Sequence, residues 1–282
     1  MNEVLLYTIL TLTLLGVFSA LILYFLAQKF KVYEDPRIHV AETMLPGANC
    51  GGCGFPGCHG FAEALVMRED ISTLFCPVAG SETMKKIAEF LGKVASVQEP
   101  QVAVMRCGGS CAKRRHTNIY DGVASCVVST ALYGGETGCV YGCIGKGDCV
   151  KVCCFGAIVI NPETMLAEVD EAKCTACGMC AKICPKFVIE MRPKGRKNRR
   201  IYVNCINHDK GGISRKACEV SCIGCKKCQK ACSFDAISVE NNLAYIDAGL
   251  CRLCRKCAPD CPSHAIVEIN FPPARNSNTN NQ

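Results

Sequence analysis

Three cysteine runs with the spacing C-x2-C-x2-C-x3-C carry the chemistry of this chain: Cys174, Cys177, Cys180 and Cys184; Cys222, Cys225, Cys228 and Cys232; and Cys251, Cys254, Cys257 and Cys261. A relaxed fourth run, Cys139-x3-Cys143-x5-Cys149-x3-Cys153, precedes them. All four end alike, with an isoleucine five residues beyond the last cysteine, at Ile158, Ile189, Ile237 and Ile266. In bacterial ferredoxins such a run gives three thiolates to one [4Fe–4S] cube and sends the fourth to a second cube. The runs therefore read as two two-cluster modules, and in each the fourth cysteine of one half should complete the other half's cube. Other uses of cysteine fit poorly. A disulfide framework belongs to short secreted chains, and three cysteines on one short loop overfill a tetrahedral zinc ribbon. At Cys153-Cys154, where Cys-Pro is usual, Cys153 is read as the ligand and Cys154 as a small buried hydrophobe, although spacing alone does not settle the choice.

A fifth site lies nearer the amino terminus, where Cys50-x2-Cys53-x4-Cys58 is followed by Cys76. Gly51, Gly52, Gly54 and Gly57 let the backbone wrap tightly and aim amides at sulfur. The G-x-G-x-x-G that three of them spell follows no apolar strand and has no acidic residue in a βαβ setting after it, so it is not a dinucleotide fingerprint. Five [4Fe–4S] sites are expected. A sixth would draw on Cys107, Cys111, Cys126, Cys205 and Cys218, with Cys107-x3-Cys111 as a ligand-like pair and Cys205 or Cys218 folding back to complete it.

These sites need elements to position them. The chain reads as α+β: an amino-terminal transmembrane helix, a small mainly helical [4Fe–4S] domain and two tandem ferredoxin-like (βαβ)2 modules. The expected divisions are 1–28 anchor, 29–40 linker broken by Pro36, 41–97 four-cysteine domain, 98–138 bridging segment, 139–190 first module, 191–217 basic connector, 218–268 second module and 269–282 disordered tail, which is asparagine-rich from Asn276. Helices are expected over His59 to Glu69 and Ser81 to Leu91, the second with Ser81 as N-cap, and a strand over Val102 to Met105 entering Cys107.

From Val4 to Ala27 no charge occurs, which is long enough at 1.5 Å per residue to cross a ~30 Å hydrocarbon layer. Lys29 and Lys31 follow at once. A signal peptide would instead carry a basic flank before its apolar core and a small-residue cleavage site after it. The positive-inside rule then leaves the bulk of the chain in the cytoplasm of a bacterial cell, single-pass in the inner membrane, where free thiolates persist.

The formal charge of +7 counts every cysteine as neutral. Each oxidised cube with four thiolates adds about −2, so the assembled chain falls to roughly −3 to −5. Two basic stretches, Arg192 to Arg200 and Lys113 to Arg115, read either as solvated loops or as a docking surface for an acidic electron donor. Nucleic-acid binding is disfavoured because tryptophan is absent and the aromatics do not interleave the basic runs. No flavin or nucleotide site is recognised, no nucleophile constellation occurs, and His39, His59, His116, His208 and His264 are scattered singly. The parts suit electron transfer.

The order of features, an uncharged helix, then Leu45-Pro-Gly-Ala-Asn-Cys50-Gly-Gly-Cys53-Gly-Phe-Pro-Gly-Cys58 with Cys76-Pro-Val-Ala-Gly, then ferredoxin runs, resembles the B subunits of Rnf complexes. Those complexes are ion-translocating ferredoxin:NAD+ oxidoreductases. The resemblance runs from Met1 to about Ile269 and matches the longer, two-module form. It implies a subunit of a translocase that takes electrons from reduced soluble ferredoxin and feeds membrane and peripheral partner subunits, while ion pumping and the NAD site lie elsewhere in the complex. The chain alone is then an electron carrier with no catalytic residue of its own. The competing assignment is a polyferredoxin-type subunit of another membrane redox complex, such as an energy-converting hydrogenase. Metal analysis separates either from a zinc-stabilised interaction protein: iron and acid-labile sulfide of about twenty or more atoms each per chain are expected, at four per cube, and zinc with little iron would reject the iron–sulfur reading.

Overall fold

The computed structural model describes residues 2–30 and 33–272; the Asn276 to Gln282 stretch lies outside them. The first helix, α1 (Asn2–Lys29), has a mean hydropathy of 2.4 over its most apolar window and buries none of it in the protein. Its hydroxyls are satisfied within the helix: Thr8 Oγ1 donates to the Leu5 carbonyl at 2.8 Å, Thr11 to Thr8 at 3.0 Å and Ser19 to Leu15 at 2.9 Å. A helix that meets its own polar groups can face hydrocarbon on every side. The helix ends at Lys29, and Pro36 begins the next one, α2 (Pro36–Met44), with the Asp35 side chain at the N-cap accepting the Arg37 amide at 2.9 Å.

The next unit packs α2 against α3 (Cys58–Met67) and α4 (Gly80–Leu91). Ile38, Phe61, Leu65, Met84 and Ile87 are almost fully buried at its centre, because the apolar positions of α3 and α4 recur at helical spacing. Lys93 ends α3 by donating to three of its terminal carbonyls, those of Leu65, Val66 and Arg68, at 2.6–2.8 Å. Ser81 differs from its expected role. The helix starts earlier, capped from Ala79, and Ser81 Oγ donates instead to the Gln98 carbonyl at 2.9 Å, pinning the linker.

Two ferredoxin-like modules follow, each made of two antiparallel strand pairs. In the first, β1 (Gln101–Met105) pairs with the late strand β4 (Ile189–Pro193), and β2 (Ile158–Asn161) forms a hairpin with β3 (Leu166–Val169). Between these lie α5 (Cys126–Tyr133), α6 (Asp148–Lys151) and α7 (Met179–Ile183). The second repeats the plan: β5 (Arg200–Val203) pairs with β8 (Ile266–Ile269), β6 (Ile237–Glu240) with β7 (Leu243–Ile246), and α8 (Gly211–Ala217) and α9 (Lys227–Ala231) intervene. The opening strand of each module thus lies in a segment that reads from sequence as a bridge or a connector. A first-with-last strand pairing has no local sequence signal, since its partners stand about 65 to 90 residues apart.

The modules lean on each other through β1 and β5, with Val102, Val104 and Tyr202 buried between them. Arg106 crosses the seam, donating to the Val203 and Cys205 carbonyls at 3.3 Å and to Glu190 at 2.9 Å. Arg192 pairs with the same glutamate, donates to the Ile246 carbonyl at 3.0 Å and stacks on Tyr245. Arg200 is held by Glu171. The basic runs, open from sequence to a solvated loop or a docking surface, are therefore partly structural: Arg192 and Arg200 are buried, as is Arg114 of the second run, while Arg196 and Lys197 are exposed.

The helical unit meets the first module at Gly52. A Cβ there would lie 2.7 Å from the Cys177 carbonyl oxygen and 2.8 Å from Cys177 Cβ, and the backbone half of that clash has no rotamer to escape into. Gly52→Val is expected to cost about 1–3 kcal/mol at this contact and to open the 92–100 linker to protease. Limited proteolysis of the full chain checks it, and an unchanged cleavage pattern would show that the contact does not hold the two units together.

Candidate iron–sulfur centres

The amino-terminal loop shows how the glycines serve sulfur. Gly51, Gly54 and Gly57 adopt φ of 68°, 88° and 112°, a region in which side chains are strained. Asn49 Oδ1 accepts the Cys58 amide at 2.7 Å and starts α3, so Cys58 sits on the first turn of a helix. Cys76 is buried, which raises its thiol pKa, and Cys53 and Cys50 are near enough to add to the rise. Cys50, Cys53, Cys58 and Cys76 form one set.

In the second module each run meets the last cysteine of the other. Burial pushes the Cys228 thiol up to about 11, with Cys222, Cys261 and Cys225 as its charged neighbours. It pushes Cys257 up to about 12, beside Cys251 and Cys254, and Cys232 lies within reach of Cys251. Two sets result: Cys222, Cys225, Cys228 and Cys261; and Cys232, Cys251, Cys254 and Cys257. Backbone amides donate to the sulfurs, from Ala244 to Cys222 at 3.4 Å and from Ala265 to Cys261 at 3.3 Å. Such bonds favour the thiolate form and tune a bound cluster.

In the first module Cys153 joins Cys174, Cys177 and Cys180, whose thiol is pushed up to about 12 by burial and then by Cys174 and Cys177. The other set contains a cysteine that spacing alone assigns elsewhere. A narrow, largely apolar cavity is lined by Cys126, Cys143, Cys149 and Cys184. Burial pushes Cys149 up to about 12, and Cys143, Cys126 and Cys184 are among its neighbours. Cys126 reaches the cavity as the first residue of α5, which Ser125 caps by accepting the Val128 amide.

Cys139, which the relaxed run puts in that set, is instead near Cys107 and Cys218. Cys205 is near Cys107 as well. Asn207 ties the group together, its backbone amide donating to Cys205 Sγ and its side-chain amide to Cys139 Sγ, both at 3.4 Å. Cys107, Cys139, Cys205 and Cys218 thus make a sixth set at the seam between modules.

Superposing the two modules by strand register explains both departures. Met105 opposite Ile189 corresponds to Val203 opposite Ile266, so Cys107 and Cys205 each stand two residues past the first strand. Cys139 and Cys218 each stand four residues before Cys143 and Cys222. The Cys143 amide donates to Cys107 Sγ at 3.4 Å, and the Cys222 amide likewise serves Cys205. The seam set is therefore two-fold in origin, one pair of cysteines from each module. In the same alignment Cys143, Cys149 and Cys153 match Cys222, Cys228 and Cys232, and Lys146 stands where Cys225 would be. Cys126 fills that gap from an insertion of nineteen residues between Cys107 and Cys139, relative to Cys205 and Cys218. The equal offsets and the lysine were signals the sequence held.

Two cysteines stay outside these sets. Cys111 Sγ donates to the Glu163 carbonyl at 3.0 Å. Cys154 is exposed, contrary to the buried hydrophobe expected, because the turn after Cys153 directs it outward. Among the described residues no three His, Cys, Asp or Glu side chains converge on a single-ion point, as four ligands at about 2.3 Å from one zinc would. Cys126, Cys143, Cys149 and Cys184 line one cavity instead, an arrangement suited to one thiolate per iron corner of a cube.

An apolar helix long enough to cross a membrane, followed by a cysteine-rich helical unit and a pair of ferredoxin modules, defines an iron–sulfur protein of the polyferredoxin class. Matches to known families agree: residues 45–77 match the family described as "Putative Fe-S cluster", residues 167–190 a 4Fe-4S binding domain and residues 221–266 a 4Fe-4S dicluster domain. The chain is 42% identical over 256 residues to the B subunit of the Na(+)-translocating ferredoxin:NAD(+) oxidoreductase complex of Acetobacterium woodii, covering 90% of this chain and 75% of that one. It is 41% identical to the B subunit of the proton-translocating ferredoxin:NAD(+) oxidoreductase complex of Clostridium ljungdahlii (95% and 94% covered) and 40% identical to the B subunit of the ion-translocating oxidoreductase complex of Methanosarcina acetivorans (94% and 99%). The chain belongs to the family of Rnf complex B subunits and is an iron–sulfur electron-transfer component of an oxidoreductase complex.

Proposed function

We propose that the chain is a six-station electron relay that accepts electrons from a reduced soluble ferredoxin at its second module and delivers them, through the amino-terminal unit, to membrane partners of the Rnf complex. When bound, a [4Fe–4S] group supplies one-electron acceptance and release. The chain's own part is to hold six such groups in file and to keep water from most of them. The observation that carries the reading is that each cysteine set lies beside the next. Cys50 neighbours Cys177 across the Gly52 contact, and Cys180 neighbours Cys149. The Cys143 amide bonds Cys107 Sγ, Cys205 neighbours Cys222, and Cys228 neighbours Cys257.

Solvent access gives the file its direction. Cys177 is covered by the Gly52 loop, and Lys146, in the position of Cys225, is held by Glu136 at 3.3 Å. The matching residues of the second module, Cys254 and Cys225, are exposed, and exposed Lys226, Lys227, Lys230, Arg252 and Lys256 surround them in sequence. An acidic ferredoxin would find its electrostatic partner there. The opposite end is tethered: α2 begins seven residues after α1 ends, at most about 25 Å of extended chain. The basic flank of α1 puts the iron–sulfur units on the cytoplasmic side. The relatives' names specify different ions, and the transported ion is a property of the partner subunits.

Anaerobically purified full chain is expected to hold about 24 irons, four for each of six sets. Cys126→Ser and Cys139→Ser should each remove about four of them and Cys111→Ser and Cys154→Ser none; iron quantification with EPR decides, and full iron in Cys126→Ser would refute the ligand assignment. Reversing Lys226, Lys227 and Arg252 to glutamate should slow reduction by ferredoxin about tenfold or more at low ionic strength and flatten its salt dependence. Stopped-flow reduction across a salt series checks this, and rates equal to the parent's would move the docking surface elsewhere.

A further inference from the structure

We propose that Arg114 is the buried counter-ion of the seam set, Cys107, Cys139, Cys205 and Cys218, and that its charge holds the group bound there at a higher reduction potential than a neutral residue would. The proposal rests on reading that set as a cluster site. Four arginines are buried among the described residues. Arg106 and Arg192 share Glu190, and Arg200 has Glu171. Arg114, 6% exposed, has no carboxylate partner among the described residues. Its Nη1 donates to the Cys143 carbonyl, and its Nε has no hydrogen-bond partner. A guanidinium cannot shed its proton to escape such a place, so an unpaired one needs negative charge close by.

The sulfurs are that charge. The Arg114 backbone forms an antiparallel bridge with Cys218. Gly109 is flanked by both side chains: a Cβ on it would lie 3.0 Å from Cys218 Sγ and 3.8 Å from Arg114 Cδ. The positive charge favours the thiolates of Cys107, Cys218 and Cys143, two from the seam set and one from its neighbour. The adjoining Lys113 and Arg115 are exposed and screened by water. The matching segment of the second module, between Cys205 and Cys218, carries Lys210, Arg215 and Lys216, all exposed, so the two-fold seam receives a buried cation from one side only. A fixed cation in low dielectric stabilises whichever state is more negative, here the reduced one, and so raises the potential.

The test is an anaerobic redox titration by EPR of the full chain and of Arg114→Gln and Arg114→Lys, with iron measured on each; the signal that disappears in Cys139→Ser marks the seam group. Arg114→Gln is expected to keep its iron and to lower that one midpoint by at least a tenfold change in equilibrium constant, about 59 mV for one electron. The other midpoints should stay in place, and Arg114→Lys should stay close to the parent. An unmoved midpoint in iron-replete Arg114→Gln overturns the proposal and leaves the cluster reading standing. Should Arg114→Gln lose about four irons, Arg114→Lys decides: full iron supports a role for charge, and the same loss overturns it. Full iron and an unchanged spectrum in Cys139→Ser would sink the cluster reading and this proposal with it.

Discussion

Burial of sulfur is the constraint from which the rest of the molecule follows. Thiols such as Cys149, Cys205 and Cys257 stand in apolar surroundings that push them up to about 12, so neighbouring thiolates do not coexist there without positive charge among them. A bound iron–sulfur group meets that need, and the protein is built to receive it. Cysteines are core residues in both modules, packed with Ile158, Val188 and Ile189 in one and with Val203, Ile237 and Ile246 in the other. Strands of four or five residues could not bury enough apolar surface alone. In small metal-stabilised domains coordination and folding are coupled, and modules whose cores are this rich in cysteine have the composition for it.

The duplicated module explains how a seam between two domains comes to hold four cysteines. A ferredoxin fold closes by pairing its first strand with its last, and the residue two past the first strand then lies beside the start of the first cysteine loop. With a cysteine at that position and another four residues before the loop, each module carries half of the four-cysteine group. Packing β1 against β5 joins the halves. The buried Arg106 and Arg192, with Glu190 and Tyr245 at the edge of the seam, fix the approach with mutually satisfied polar groups, which resist sliding in a way that an apolar contact alone does not.

The two modules have diverged at equivalent positions, in keeping with different neighbours. Cys177 faces the amino-terminal unit, and Cys254 faces solvent. Lys146 stands where the second module has Cys225 and pairs with Glu136, from the same longer segment that carries Cys126. The first module is thereby enclosed, while the second keeps an open, lysine-rich face. Accessibility, more than the cysteine pattern, distinguishes the two modules, since solvent exposure is one of the factors that set a cluster's potential.

Much of this was legible in the residues alone. Spacing as short as C-x2-C-x2-C encodes a loop, and a loop is local, so the cofactor class, the amino-terminal four-cysteine site and the apolar span of α1 could be read before any fold was known. The helices over Cys58–Met67 and Gly80–Leu91 followed from periodicity for the same reason. Only the tertiary structure decided that Cys139 keeps company with Cys107, Cys205 and Cys218, that Cys126 stands with Cys143, and that Arg114, Arg192 and Arg200 are interior. Those outcomes depend on strands paired across 65 residues and more and on one module docking against another, and neither contact leaves a periodic trace along the chain.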